Sequence, residues 1–230
     1  MSAQWPRPPS GLGGIVLSGG QSRRMGRSKA WLPFGGEVLL QRVVRRVSEV
    51  ASPIVVVAAP GQELPDLPPD VTVVTDAVSG RGPLQGIAAG LEALGARAQA
   101  AFVSSTDVPF LHPAFIRRLA QLQAGAGENE GGAGPYDVVV PNVGGHFHPL
   151  GTLYSCSVRS EIEALLAAGR LRPFFLFERV RTLVVDEPRL LADPALAAAD
   201  PHLWSLRNVN TPEDYAEALR DADAADAAAT

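Results

Sequence analysis

The segment Ser18-Gly19-Gly20-Gln21-Ser22-Arg23-Arg24-Met25-Gly26-Arg27-Ser28-Lys29 concentrates the chemistry-bearing residues of this chain. Two adjacent glycines stop the apolar run Gly14-Ile15-Val16-Leu17, and four cations follow within ten residues. Glycines let the backbone come close to a ligand, and bare N–H groups beside Arg and Lys make an anion site. A glycine pair alone is a turn, and arginines alone are a solvated face. Directly after a strand, in a chain of net charge −4, the combination selects a phosphate-rich ligand, best a nucleoside triphosphate. Two familiar phosphate fingerprints are excluded. In a G-x-x-x-x-G-K frame starting at Gly20, Met25 stands where the second glycine must be. In G-x-G-x-x-G, Gly11-Leu12-Gly13 is followed by Val16.

Two carboxylates follow apolar runs. Asp107, in Ser105-Thr106-Asp107-Val108-Pro109-Phe110, comes after Ala101–Ser104. It reads as a Mg²⁺ ligand, because Mg²⁺ uses few carboxylates and takes its other oxygens from phosphates and water. The competing reading is a cap on the turn before Pro109. Asp76 comes after Val71–Thr75 and precedes Gly80-Arg81-Gly82-Pro83-Leu84-Gln85-Gly86. It reads equally as a nucleotide-facing group or a turn former. His146-Phe147-His148 could set two imidazoles on one strand face, but zinc wants a third and fourth ligand and none is close in sequence. A substrate-facing loop is the preferred reading there. Cys156 and Trp31 read as packing residues, and Phe174-Phe175-Leu176-Phe177 as core, with an exposed partner patch as the alternative.

The elements that must position these groups alternate. Strands are expected at Gly14–Leu17, Ile54–Ala58, Val71–Thr75, Ala101–Ser104, Val138–Val140 and Thr182–Val185. Most are continuous Val/Ile/Leu runs, the pattern of strands covered on both faces. Helices are expected at Leu39–Val50, Leu84–Leu94, Pro113–Leu122, Val158–Ala168 and Pro212–Leu219, the last opened by Thr211 with Asp214 three residues on. The fold class is therefore α/β, a single-domain, Rossmann-like, doubly wound and mostly parallel sheet with helices on both faces. In such sheets ligands bind beyond the carboxyl ends of the strands, where both carboxylates and both glycine turns fall. The Pro-rich residues 1–12 read as a disordered lead-in, 13–220 as the domain and 221–230 as a flexible tail. Pro60–Asp70 and Ala124–Pro135 read as loops.

Bulk properties exclude several classes. A hydrophobic content of 46% with 19% charged residues is that of an ordinary globular domain. The acidic balance argues against a nucleic-acid surface. A single cysteine forbids an internal disulfide and suits a reducing, cytoplasmic location. No apolar run is long enough to span a membrane, and the first ten residues lack a signal-peptide core.

The motifs, in this order, resemble the molybdenum cofactor guanylyltransferases, the MobA family. The opening pattern is Leu17-Ser18-Gly19-Gly20-Gln21-Ser22-Arg23-Arg24-Met25-Gly26 through Lys29-Ala30-Trp31-Leu32-Pro33-Phe34. Gly82-Pro83-Leu84-Gln85-Gly86, Thr106-Asp107-Val108-Pro109-Phe110 and His148-Pro149-Leu150-Gly151-Thr152-Leu153-Tyr154 follow, and Asn208-Val209-Asn210-Thr211-Pro212-Glu213-Asp214 closes. The resemblance implies a nucleotide-diphospho-sugar-transferase-like fold and transfer of GMP from GTP to the phosphate of molybdopterin. It implies that Leu17, Ser18, Gly19, Gly20, Asp76, Gly82 and Pro83 line the nucleotide site. Lys29, with Arg24 or a neighbouring arginine, would hold the triphosphate, Asp107 would carry Mg²⁺, and His148, Asn208 and Asn210 would lie on the pterin side. It further implies transient contact with molybdenum-insertion proteins or molybdoenzyme chaperones. The chain departs from the pattern at Ser28, usually Asp, at Gln85, usually small, and at Val57-Ala58-Ala59-Pro60, where many members have Asn. A cytidylyltransferase on molybdopterin, a sugar- or polyol-phosphate nucleotidyltransferase, and a non-catalytic cofactor-binding accessory protein are the competing readings.

Overall fold

The computed structural model describes residues 11–19, 28–76, 81–125 and 135–228. In chain order they form β1 (Leu12–Leu17), β2 (Pro33–Phe34), β3 (Glu37–Val38), α1 (Leu39–Ser48), β4 (Ile54–Ala58), β5 (Thr72–Thr75) and α2 (Pro83–Leu94). Next come β6 (Ala100–Ser105), α3 (Pro113–Gln123), β7 (Val138–Val143), β8 (His146–Phe147), β9 (Gly151–Ser155) and α4 (Arg159–Ala167). The chain ends with α5 (Phe174–Phe177), β10 (Thr182–Val185), α6 (Glu187–Leu191), α7 (Pro194–Ala199) and α8 (Pro212–Ala228).

The main sheet runs β5-β4-β1-β6-β9-β7-β10, with β8 added to β7. Strands β1, β4, β5 and β6 are parallel, and β10 is parallel to β7. Only β9, between β6 and β7, and the short β8 run antiparallel to their neighbours. From β1 the chain winds outward to β4 and β5, then returns to β6 on the opposite side of β1. That reversal opens a crevice at the carboxyl ends of β1 and β6. The sheet is thus α/β and mostly parallel, as the apolar runs require.

Both faces are covered. Ile15 and Leu17 pack under α2 and α4 on one face, while Leu12 and Val16 pack under α1 and α3 on the other. The helices press so closely that β1 carries glycines in the middle. A Cβ on Gly13 would lie 2.9 Å from Leu94, and one on Gly14 would lie 2.4 Å from Val47. A third, smaller core of Leu32, Phe34, Leu39, Val209 and Ala218 joins the β2–β3 hairpin to α8.

Several elements differ from expectation. Strand β9 is absent from the expected strands, because Gly151-Thr152-Leu153-Tyr154-Ser155 is short and opens on glycine. It forms because β6 and β7 flank it on both sides, and Tyr154 is fully buried with its hydroxyl donating to the Pro149 carbonyl at 2.9 Å. The short elements β2, β3, β8, α5, α6 and α7 carry too few periods to be seen. Helix α8 continues to Ala228, past the expected end at Leu219 and into the stretch read as a flexible tail. Alanine is the best helix former, and Arg207 bonds Asp221 and Glu217 from outside the helix. Strand β1 begins at Leu12, one residue inside the expected lead-in, whose first ten residues lie outside the described ones. Among the described residues, no helix is long and apolar enough to cross a membrane.

Candidate active site

Leu17, the last residue of β1, pairs with Val57 of β4 on one side and Ser105 of β6 on the other. The chain leaving all three strands therefore emerges at one edge. Thr106 clamps β6 to β1 there, since its N–H and its Oγ1 both donate to the Leu17 carbonyl at 3.2 Å. The next residue, Asp107, turns out over the edge.

The Asp107 carboxylate has two partners. Oδ1 accepts from the Ser105 hydroxyl at 2.5 Å, and Oδ2 accepts from the Lys29 ammonium at 2.8 Å. The same ammonium donates to Asn210 Oδ1 at 2.9 Å. Lys29 thus joins three segments far apart in sequence. Its side chain is 19% exposed and that of Asp107 15%, so the pair is sheltered yet reachable by a ligand.

Each partner is fixed from behind. Lys29 opens a 3₁₀ turn whose next residue, Ala30, is buried in the main core. The Asp107 carbonyl accepts from Val209 N–H at 2.8 Å, holding the Asn210 segment against the carboxylate. Asn210 is set by a reciprocal cap on α8. Asp214 Oδ2 accepts from the N–H groups of Asn210 and Thr211, both at 2.9 Å, and Thr211 Oγ1 accepts from Asp214 N–H at 3.1 Å. The Asn210 N–H first, then those of Thr211 and the nearby Lys29 charge, hold the Asp214 carboxyl below the usual range. Arg42 of α1 donates to the Pro109 carbonyl at 2.6 Å and lies over the Phe34 ring, pinning the turn that follows Asp107. Buried Asp200 accepts from Trp204 and Ser205 N–H at 2.7 and 3.0 Å, fixing the turn that leads into Arg207–Asn210.

Other expected residues fall at the same edge but at different depths. Ser18 and Gly19 follow β4 closely, their N–H groups meeting the Val57 carbonyl at 2.8 and 3.3 Å. Gly82, at φ 76°, and Pro83 open α2, whose first N–H groups carry no side-chain cap. Asp76 follows β5, its N–H on the Ala58 carbonyl at 2.8 Å. Three strand spacings separate β5 from β6, about 14 Å at roughly 4.8 Å each. Strand order thus sets Asp76 and Asp107 at the ends of well-separated strands. His148 and Asn208 line one small cavity beside Leu206. Burial holds the His148 imidazole below its ordinary pKa, partly offset by a hydrogen bond with the Val143 backbone. Gly20, Arg23, Arg24 and Arg27 lie outside the described residues.

Gln62 escaped the sequence reading, because it sits in a Pro-rich loop. Its Nε2 donates to the Ser18 carbonyl and hydroxyl at 3.1 and 3.0 Å, and its Oε1 accepts from Ala59 N–H at 3.0 Å. It ties the ends of β1 and β4 together beside Val57-Ala58-Ala59-Pro60, where the sequence lacks the family's common Asn. The one available signal was a lone carboxamide two residues after that gap. Two packing expectations change. Trp31 is 46% exposed, its indole N–H on the Glu63 carbonyl, and Phe174 is 47% exposed, so only Leu176 of its cluster is fully buried.

The donor set suits a small hard cation. Asp107 and Ser105 offer oxygen only, and among the described residues no three of His, Cys, Asp and Glu gather to hold a metal. A cation at Asp107 would share oxygens from the ligand, the habit of Mg²⁺. The Lys29 ammonium neutralises that carboxylate.

Residues 14–182 match the profile of the MobA-like NTP transferase domain. The chain belongs to that family. A relative from Mycobacterium avium, named a molybdenum cofactor guanylyltransferase, is 38% identical over 187 residues, covering 79% of this chain and 89% of its own. One of the same name from Pelotomaculum thermopropionicum is 35% identical over 205 residues, covering 89% and 90%. The structure of molybdopterin-guanine dinucleotide biosynthesis protein A from Archaeoglobus fulgidus superposes with a TM-score of 0.69 at 24% identity, covering 91% of this chain and 98% of that one. A cytidylyltransferase for 2-C-methyl-D-erythritol 4-phosphate from Thermus thermophilus shares the fold at a TM-score of 0.61 and 16% identity, covering 92% and 99%. MobA-like chains thus share their architecture with nucleotidyltransferases of other acceptors, and the acceptor must be read from the site.

Proposed function

We propose that this chain transfers GMP from GTP to the terminal phosphate of molybdopterin, releasing pyrophosphate. The observation that carries the reading is the Lys29 ammonium, bonded at once to Asp107 beyond the end of β6 and to Asn210, two residues after the Asn208 that lines the small cavity. A cation there would reach both reactants. The naming of the relatives at 35–38% identity supports GTP and molybdopterin as the pair.

The chemistry needs no general base. A phosphate monoester is largely dianionic near pH 7, its second pKa being about 6. One of its oxygens attacks the α-phosphorus of GTP, the bond from that phosphorus to the bridging oxygen breaks, and pyrophosphate leaves with the electron pair. What remains for the protein is alignment and charge neutralisation. Ser18 and Gly19, clamped to β4 by Gln62, would cradle the nucleoside end. The open N–H groups of α2 and the Lys29 ammonium would hold the departing phosphates. Asp107 and Ser105 would hold Mg²⁺, which when bound withdraws charge from phosphate oxygens.

The test is pyrophosphate release with Mg²⁺ and molybdopterin, comparing GTP, CTP and ATP. Release with GTP that depends on molybdopterin is the expected result. Release with CTP alone would change the product, and silence with all three would overturn the reading.

A further inference from the structure

The cavity that contains His148 and Asn208 has a volume of about 150 Å³ and is completed by Phe147, Pro149, Leu150 and Leu206. A space of about that size has room for one aromatic ring. Asn208 and Asn210 are two residues apart, so their Cα atoms are separated by about 7 Å at most. The segment that brings Asn208 to this cavity therefore also carries the carboxamide that the Lys29 ammonium contacts.

Phe147 forms the unusual wall. It stands 38% exposed on β8, paired with Asn142 at the sheet edge, where a large apolar side chain gains little for the fold alone. Its ring is braced at 6.0 Å by Phe174 and at 6.1 Å by Phe177, both from α5. The hairpin is fixed in turn, His148 N–H meeting the Pro141 carbonyl at 3.0 Å and Thr152 Oγ1 the His148 carbonyl at 2.7 Å. Behind this platform the polar lining is the His148 imidazole, already hydrogen-bonded to the Val143 backbone, and the Asn208 carboxamide, which offers both a donor and an acceptor. A sugar or polyol would leave its hydroxyls facing Leu150, Leu206 and Pro149 unpartnered. A flat heteroaromatic ring would instead present a π-face to Phe147 and polar edge atoms to His148 and Asn208.

We propose that Phe147, braced by Phe174 and Phe177, is the stacking wall for the flat heteroaromatic ring of the acceptor, with His148 and Asn208 reading its edge, and that this wall selects the acceptor. The inference rests on the proposed reaction. Loss of stacking on one ring weakens binding about tenfold.

The experiment compares the full-length wild type with Phe147→Ala, Phe147→Leu and Phe147→Tyr. Leu keeps the apolar bulk without the π-face, and Tyr keeps the ring. Pyrophosphate release gives KM for molybdopterin and for GTP, and quenching of free pterin fluorescence gives ring binding without turnover. The expected result is a KM for molybdopterin raised about tenfold in the Ala and Leu variants and retained in Tyr, with KM for GTP within twofold. An unchanged KM for molybdopterin, or an equal rise for GTP, overturns the wall. Should the wild type release no pyrophosphate, the reaction fails while the wall is still judged by quenching. Quenching in wild type and Tyr but lost in Ala and Leu supports it. Equal quenching in all four, or none in wild type, refutes it.

Discussion

Replacing Asp107 by Asn separates the two roles its carboxylate holds. The substitution keeps the shape and leaves the backbone anchors in place, since the Asp107 carbonyl still accepts from Val209 and Thr106 still clamps β1. What is lost is one charge-assisted hydrogen bond to Lys29 at 2.8 Å, between side chains only 19% and 15% exposed. Such bonds contribute about 1.5–3 kcal/mol. A domain of this size shifts its Tm by about 2–4 °C per kcal/mol, so a fall of about 3–12 °C is expected. Catalysis should suffer far more. Removing one group that stabilises developing charge costs roughly 10²–10³ in rate. Here the carboxylate proposed to hold the metal disappears and Lys29 loses its anchor, so kcat should fall at least about 10³-fold, or about 4 kcal/mol in the barrier. Metal-free GTP binding should move the other way. A negative charge leaves the site of a polyanion while the Lys29 ammonium stays, so calorimetric titration in chelator should give affinity equal to or tighter than wild type. Turnover within tenfold of wild type would refute the Asp107 assignment. Metal-free affinity falling in step with turnover would show that the residue holds the fold of the site rather than a cation.

Three further outcomes follow from the same contacts. Gln62→Ala removes the two hydrogen bonds that restrain Ser18, worth about 0.5–1.5 kcal/mol each, so steady-state kinetics should show KM for GTP up about 5–150-fold with kcat nearly unchanged. A KM within twofold of wild type would remove Gln62 from the nucleotide site. Asp214→Asn weakens the α8 cap by about 1 kcal/mol. Because the folded-state pKa of Asp214 is depressed, its stabilisation is present above the ordinary carboxylate pKa of about 4 and fades as pH falls below it. The Tm gap between wild type and variant should therefore hold from pH 5 to 8 and close toward pH 3, and a gap independent of pH would contradict the capping role. Gly90→Ala places a Cβ 2.6 Å from fully buried Ile15, and overpacking of about 1–3 kcal/mol outweighs about 1 kcal/mol of helix propensity, so chemical denaturation should show net destabilisation.

Much of this site could be read from residue order, because strand ends are marked by abrupt changes in chemistry. Ile54–Ala58 and Thr182–Val185 form strands with the expected bounds, since uninterrupted β-branched runs leave little choice. Asp107 and Lys29 stand out because charge appears within a few residues of a glycine turn or the end of an apolar strand. The linkage between Lys29 and Asn210, 181 residues apart, depends on tertiary contact and has no local signature. Gln62 was hidden for the same reason, and so was β9, whose strand character comes from its neighbours rather than its composition. The wide separation of Asp76 from Asp107 follows from strand order, which no local pattern encodes.

The central claim is attack at the α-phosphorus of GTP, and following labelled phosphorus tests it most directly. With molybdopterin and Mg²⁺ present, label from α-³²P GTP should end in a pterin dinucleotide, and label from γ-³²P GTP should end in pyrophosphate. Transfer of the γ label to the acceptor, or its release as inorganic phosphate, would contradict the account and make the protein a kinase or a hydrolase instead.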